Sequence, residues 1–183
     1  MAGVDTKKQQ KELSKIISET GIRNFKVFND AFLGIKAGSD KGYGICSING
    51  TGTCCVGIDK NDEWLQIGGT GWTFGDEAAL ELLRHSGREM AKSVIGVIKR
   101  LNFSGEKEID IILAGSINLK GENPTLIKIF KQKVCEEVKN KVCFIPLQVP
   151  PVAGAVLWAI EKLNKNKNPN IRKRVLQEFK NML

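Results

Sequence analysis

The stretch Ile48-Asn49-Gly50-Thr51-Gly52-Thr53 joins two apolar runs, Tyr43–Ile48 and Cys54–Ile58, and its reading decides the fold. Two runs of strand length closed by a glycine-bearing turn are a β-hairpin signal. The same residues have a second use. Glycine lets a backbone turn with φ > 0 and approach a ligand closely. Threonine hydroxyls beside clustered N–H groups suit a phosphate oxygen. A second glycine-rich piece, Gly68-Gly69-Thr70-Gly71-Trp72-Thr73-Phe74-Gly75-Asp76-Glu77, follows a short way on and ends in an acidic pair. Together the two pieces favour a ligand-binding turn over a plain hairpin.

Outward from the turn, three strands are expected, over Tyr43–Asn49, Cys54–Asp59 and Glu63–Ile67, with Asp59-Lys60-Asn61-Asp62 as a turn by composition. Phe74–Leu101 carries a long helical pattern, in which Ala78, Leu82, Met90, Val94, Val97, Ile98 and Leu101 recur at three- and four-residue steps. Gly87 inside it marks a break or a close packing contact. Ile109–Leu113 is an apolar run broken only by Asp110, which suits a strand buried on both faces. It ends in Ala114-Gly115-Ser116. Helices are expected over Pro124–Lys139 and Pro151–Leu163, a strand over Lys141–Ile145, and a final helix over Ile171–Leu183 after the polar linker Asn164–Asn170. Towards the N-terminus, Thr6–Glu19 reads as a helix stopped by Gly21. Phe25–Phe28 reads as a short strand, and Asn29-Asp30 as the cap of a helix over Ala31–Ala37.

Composition bounds the rest. The chain has 183 residues, 42% of them hydrophobic and 26% charged, which are globular values for one domain or slightly more. No apolar run approaches the ~18 residues of a membrane span, and the polar, lysine-bearing Met1–Lys11 is no signal peptide. Five cysteines without a CxxC spacing point to reduced cytoplasmic thiols, with neither a disulfide framework nor a zinc site. The net charge of +8 is spread over lysines interleaved with Glu and Asn, and aromatics make up only 7%. That describes solvated helix faces and not a nucleic-acid platform. A modest attraction for polyanions such as nucleotides remains.

After residue 42 the order is β-β-β-α-β-α-β-α. Three antiparallel strands followed by strand–helix crossovers imply an α/β fold, a mixed sheet with helices on both faces. This is the layout of a ribonuclease-H-like domain.

At this point the motifs, taken in order, resemble a known family. Asn49-Gly50-Thr51-Gly52-Thr53 after a strand, Gly68-Gly69…Gly71-Trp72…Gly75-Asp76-Glu77 opening a long helix, and Leu113-Ala114-Gly115-Ser116 ending a later strand look like the N-acetylglucosamine kinase and BadF/BadG ATPase family. That family belongs to the superfamily of actin, heat-shock chaperone ATPases and sugar kinases. Met1–Thr6 resembles its mid-chain Leu-Ala-Gly-Val-Asp segment, Asn29-Asp30-Ala31 its strand-end Asn-Asp-Ala, and Pro151–Ala155 its C-terminal helix. The likeness covers about Ala2 to Leu163.

The resemblance implies ATP and Mg2+ as cofactors and a sugar as phosphoryl acceptor. By position, Asp30 matches the family's catalytic aspartate, which would take the proton of the attacking hydroxyl; its competing role is a helix N-cap. Asn49, Gly50, Thr51, Gly52 and Thr53 match the second phosphate loop. Gly69 and Asp76 match sugar-contacting positions, although Asp76 could also simply cap the long helix. Ala114, Gly115 and Ser116 match the adenosine motif, or else form a tight strand-to-helix turn. His85 has a surface or packing role. The family's first domain opens with an Asp-Gly-Gly-Gly-Thr phosphate loop that has no match here. The expected division is therefore 1–42 as the tail of an N-terminal kinase domain, 43–163 as the C-terminal ATPase domain, and 164–183 as linker and last helix. On this reading the chain alone phosphorylates sugar poorly and associates as a homodimer. The other function classes are a BadF-type activator of a partner enzyme through an iron-sulfur cluster, for which Cys46, Cys54 and Cys55 are poorly placed, and a non-catalytic nucleotide- or partner-binding domain.

Overall fold

The computed structural model describes residues 4, 6–49, 53–68, 76–103, 105–120, 123–164 and 169–181. The elements in chain order are α1 (Lys7–Glu19), α2 (Asp30–Gly38), β1 (Gly44–Asn49), β2 (Thr53–Ile58), β3 (Trp64–Gly68), α3 (Asp76–Arg100), β4 (Glu108–Ala114), α4 (Ser116–Lys120), α5 (Thr125–Glu137), β5 (Lys141–Pro146), α6 (Val152–Asn164) and α7 (Pro169–Asn181). The five strands form one sheet in the order β3-β2-β1-β4-β5. β1, β2 and β3 pair antiparallel as a meander, while β4 lies parallel to β1 and β5 parallel to β4. The expected three antiparallel strands followed by crossovers are thus present, each within a residue or two of its expected bounds.

Both faces of the sheet are covered because both sets of alternating side chains are apolar. On one face Ile45, Ile109, Ile111 and Leu113 meet Met90, Val94 and Val97 of α3 and Leu126, Phe130 and Val134 of α5. On the other, Cys46, Val56, Ile112 and Ala114 meet Ala31, Phe32 and Ile35 of α2 and Ala153 of α6. Two glycines set the close spacing of the helices. A Cβ on Gly154 in α6 would run into the backbone carbonyl of Leu33 in α2, so the two helices touch backbone to backbone. A Cβ on Gly87 in α3 would lie 2.7 Å from the carbonyl oxygen of Leu126. Gly87 is therefore a packing contact with α5, and α3 runs through it unbroken.

Polar groups tie the ends of these elements. The side chain of Thr6 caps α1 in a reciprocal box with Gln9. Asp110, buried at the amino end of β4, accepts from Ser39 Oγ at 2.6 Å and from Lys41 Nζ at 3.2 Å. Arg172 of α7 donates to the carbonyls of Lys36 (2.5 Å) and Ala37 (2.7 Å) in the last turn of α2, and pairs with Asp40 at 2.6 Å. One expected strand is not borne out: Phe25–Phe28 forms neither helix nor strand and lies outside the five-stranded sheet.

Candidate functional site

The topology reverses at β1. The chain leaves β1 to build β2 and β3 on one side, then returns to place β4 and β5 on the other. Open α/β sheets bind ligands outside the carboxyl ends of the strands at such a switch point, because the connections there diverge and leave a crevice. Here the carboxyl ends are Asn49 of β1 and Ala114 of β4, side by side through the last ladder pair, Ile48 with Ala114. β2 runs the opposite way, so it starts at this edge, with Thr53 opposite Asn49. The residues singled out as Asn49, Thr53, Ala114, Gly115 and Ser116 therefore meet at one edge.

Their contact is intimate. Gly115 has φ +88°, and a Cβ there would strike the backbone carbonyl of Asn49 and lie 2.8 Å from its nitrogen. Only glycine combines that left-handed backbone with that approach. Asn118, one turn into the short α4, donates from Nδ2 to Ala114 O at 2.9 Å and to Ser47 O at 3.2 Å. One amide thereby ties β4 to β1 beyond their ladder. Asn49 itself is fully buried, with Nδ2 at 3.4 Å from Met90 Sδ of α3. Among the described residues, the buried side-chain oxygens Asn49 Oδ1 and Asn118 Oδ1 have no hydrogen-bond partner. A buried polar atom without a partner costs about 1–3 kcal/mol. Both are acceptors, so among the described residues each lacks a hydrogen donor.

The N-terminus of α2 belongs to the same edge. Asn29 is its N-cap, Oδ1 accepting from Ala31 N at 2.9 Å, and Nδ2 reaches Val4 O at 3.3 Å. Cys54, the second residue of β2, lies with its sulfur 3.8 Å from the same Asn29 oxygen. Asp30 is the first residue of α2 and is half-buried. The cap is thus Asn29, which leaves the Asp30 carboxylate without the capping role that competed for it. Gly50, Thr51, Gly52 and Gly69 lie outside the described residues. Asp76 opens α3, but its side chain is not among those described. His85 is exposed on α3.

Two of the thiols, Cys46 and Cys55, are buried. Burial, and secondarily its thiol neighbours, push Cys46 well above the ordinary thiol range, and burial does the same to Cys55. Both are held as protonated thiols inside the sheet, shielded from solvent. Among the described residues no cluster of His, Cys, Asp and Glu is placed to hold a metal ion, and no helix is long and apolar enough to cross a membrane.

Asn118 and Met90 are the parts of this edge that sequence reasoning missed, whereas the cap expected at Asn29-Asp30 falls on Asn29. Asn118 lies three residues beyond the singled-out Gly115, and that position on the first turn of a helix is the available signal. Met90 gave none, because it reads as one more apolar position of α3.

No family model matches the chain. It is 31% identical over 110 residues to an N-acetylmuramic acid/N-acetylglucosamine kinase of Clostridium acetobutylicum. The match takes in 59% of this chain and 34% of the kinase, so the chain spans about a third of that relative's length. The similarity is one to a sugar kinase.

Proposed function

We propose that this chain is a ribonuclease-H-like domain that binds the nucleotide of an ATP-dependent sugar kinase of the N-acetylglucosamine type. The observation that carries the reading is the apposition of Gly115 on Asn49 at the β1/β4 switch point, with two buried amide oxygens that have no donor among the described residues. The donor set fits a nucleotide. Its ribose hydroxyls, base amino group and metal-bound waters are hydrogen donors, whereas a bare phosphate is not. On this reading the Gly115 turn lets the nucleoside lie against backbone, with Ala114 and Ser116 beside it. Asn49–Thr53 cradle the phosphates with N–H groups and hydroxyls. Mg2+ arrives on the ATP phosphates and neutralises charge developing on the transferred group. Asp30, free of the cap, orients the acceptor hydroxyl and takes its proton. Gly69 and Asp76 contact the sugar. The clostridial relative's name supplies the acceptor class, an N-acetylated amino sugar.

Titration calorimetry with MgADP tests the nucleotide site. Binding is expected at a Kd on the order of millimolar, about 4 kcal/mol, and is expected to vanish in Gly115→Val. A coupled assay with ATP and N-acetylglucosamine tests the chemistry. The sequence holds no Asp-Gly-Gly-Gly-Thr loop to oppose the β1–β2 turn. Turnover is therefore expected far below the ~10 per second of a typical enzyme. Absence of any MgADP binding at 10-fold above that Kd would sink the reading.

A further inference from the structure

We propose that the outward face of α6, with the aromatic hollow beside it, docks an amphipathic helix of another protein, one whose apolar stripe is flanked by carboxylates. The sequence of α6 is apolar on every side: from Val152 to Ile160 it carries no charge, and Glu161 is the first. Ala153, Gly154 and Leu157 face inward and are buried. Val152, Val156 and Leu163 face the other way and stay 51%, 37% and 83% exposed, with Ala159 exposed between them. A surface helix is ordinarily polar on its outer side, and a helix apolar all round lies between two layers. Here α2 and the sheet supply one layer, and α7 is already packed on the same core through Leu176 and Phe179. Among the described residues no element covers the outer stripe.

Spacing says what the second layer is. Val152, Val156, Ala159 and Leu163 follow one another at steps of four, three and four residues, which is the spacing of a helix–helix seam. The small Ala159 lets a second helix approach closely in the middle of the stripe. The stripe leads into the hollow. There Phe28 stacks on Trp158 with ring centres 4.8 Å apart, and Phe32 meets the edge of Trp64 at 5.4 Å. These four rings, with Ala159 and Leu163, line an open space of about 1120 Å3. A helix laid along α6 sets its apolar row on the stripe and turns a large side chain into that space, the helix-in-groove mode of recognition. The volume exceeds the ~300–1,000 Å3 of most small-molecule pockets, which also favours a polypeptide.

Charge selects the occupant. Lys26 and Lys162 border the hollow against a single carboxylate, Asp62, and both lysines are exposed. Carboxylates flanking the apolar row of an incoming helix complement them, as flanking charges do in paired helices. A second copy of this chain would bring the same lysines and the same net charge of +8 to the face, so repulsion opposes it. This inference does not rest on the nucleotide reading, because the stripe lies on the side of α6 turned away from the sheet.

Fluorescence anisotropy of dye-labelled helical peptides, titrated with the full chain, tests it. The probes are two three-heptad peptides with Leu at the seam positions, one flanked by Glu and the other by Lys. The Glu-flanked peptide is expected to bind with a Kd on the order of 10–100 μM, and the Lys-flanked one at least ~10-fold more weakly. Val156→Glu and, separately, Leu163→Glu place a charge on the stripe at exposed positions that folding does not depend on, and each is expected to weaken the Glu-flanked peptide at least ~10-fold. Lys26→Gln with Lys162→Gln is expected to erase the preference between the peptides while the fold, followed by circular dichroism, is kept. No binding of the Glu-flanked peptide at 1 mM chain, equal affinity for both peptides, or binding unaltered in both stripe variants would overturn the proposal. Light scattering that shows a dimer which Val156→Glu dissolves would overturn it in favour of a second copy.

Discussion

At the scale of single residues, Gly115 and the buried thiols carry the sharpest consequences. Gly115→Ala asks an L-residue to hold φ +88° and pushes a methyl into the Asn49 carbonyl. The left-handed backbone alone costs ~1–2 kcal/mol, and relieving the clash separates the ends of β1 and β4. A total of about 3 kcal/mol, or roughly 6–12 °C in Tm for a chain of this size, is expected by thermal denaturation, with MgADP binding lost. Asn118→Ala leaves the carbonyls of Ser47 and Ala114 without this donor; a loss of about 1–3 kcal/mol is expected in urea unfolding. The thiols report on pH. Cys46 and Cys55 are raised by burial, so in the folded chain they keep their protons where the unfolded chain loses them. Below about pH 8.5 they are protonated in both states and do not affect stability. Above it the unfolded state is favoured, and stability falls with rising pH by up to ~1.4 kcal/mol per pH unit for each thiol. Urea midpoints measured between pH 8 and 10.5 check this slope. Iodoacetamide should modify the exposed Cys135 long before either buried thiol.

At the scale of elements, α2 is the helix on which the second face of the sheet depends. α6 crosses it so closely that Gly154 touches the backbone of Leu33, and α7 closes its last turn through Arg172. Gly154→Val is expected to force α6 off α2 and to expose Phe32 and Trp158, seen as a loss of near-ultraviolet circular dichroism with the helical far-ultraviolet signal retained. Arg172→Ala removes two charge-assisted bonds to helix-terminal carbonyls, which favour a cation there. About 1–3 kcal/mol is expected, concentrated in α7. Hydrogen exchange should show Ile171–Asn181 losing protection before the sheet does. On the other face, Gly87 plays the matching part between α3 and α5.

At the scale of the whole molecule, the order of elements was legible in the sequence because it rests on local periodicity. Alternating apolar residues and three- to four-residue recurrences need no knowledge of distant neighbours. Ile109–Leu113 read as a doubly buried strand, and it sits in the sheet between helix layers. The candidate edge was legible in part: Asn49, Thr53, Ala114 and Gly115 stood out as small or polar residues at strand ends. Asn118 and Met90 did not, because their importance lies in what they meet across 41 to 71 positions of chain. Phe25–Phe28 shows the reverse. Its composition predicts a strand, yet a strand forms in a sheet only if an edge is within reach, and that depends on the whole fold. Sequence by itself determined the elements, their order and the glycine-marked turns, since these follow from the preferences of neighbouring residues. Tertiary structure alone decided that Gly115 lies on Asn49 and that Asn118 bonds Ser47 across the sheet. Each of those is a contact between segments far apart in the chain, set by how the buried faces of the sheet and helices come together.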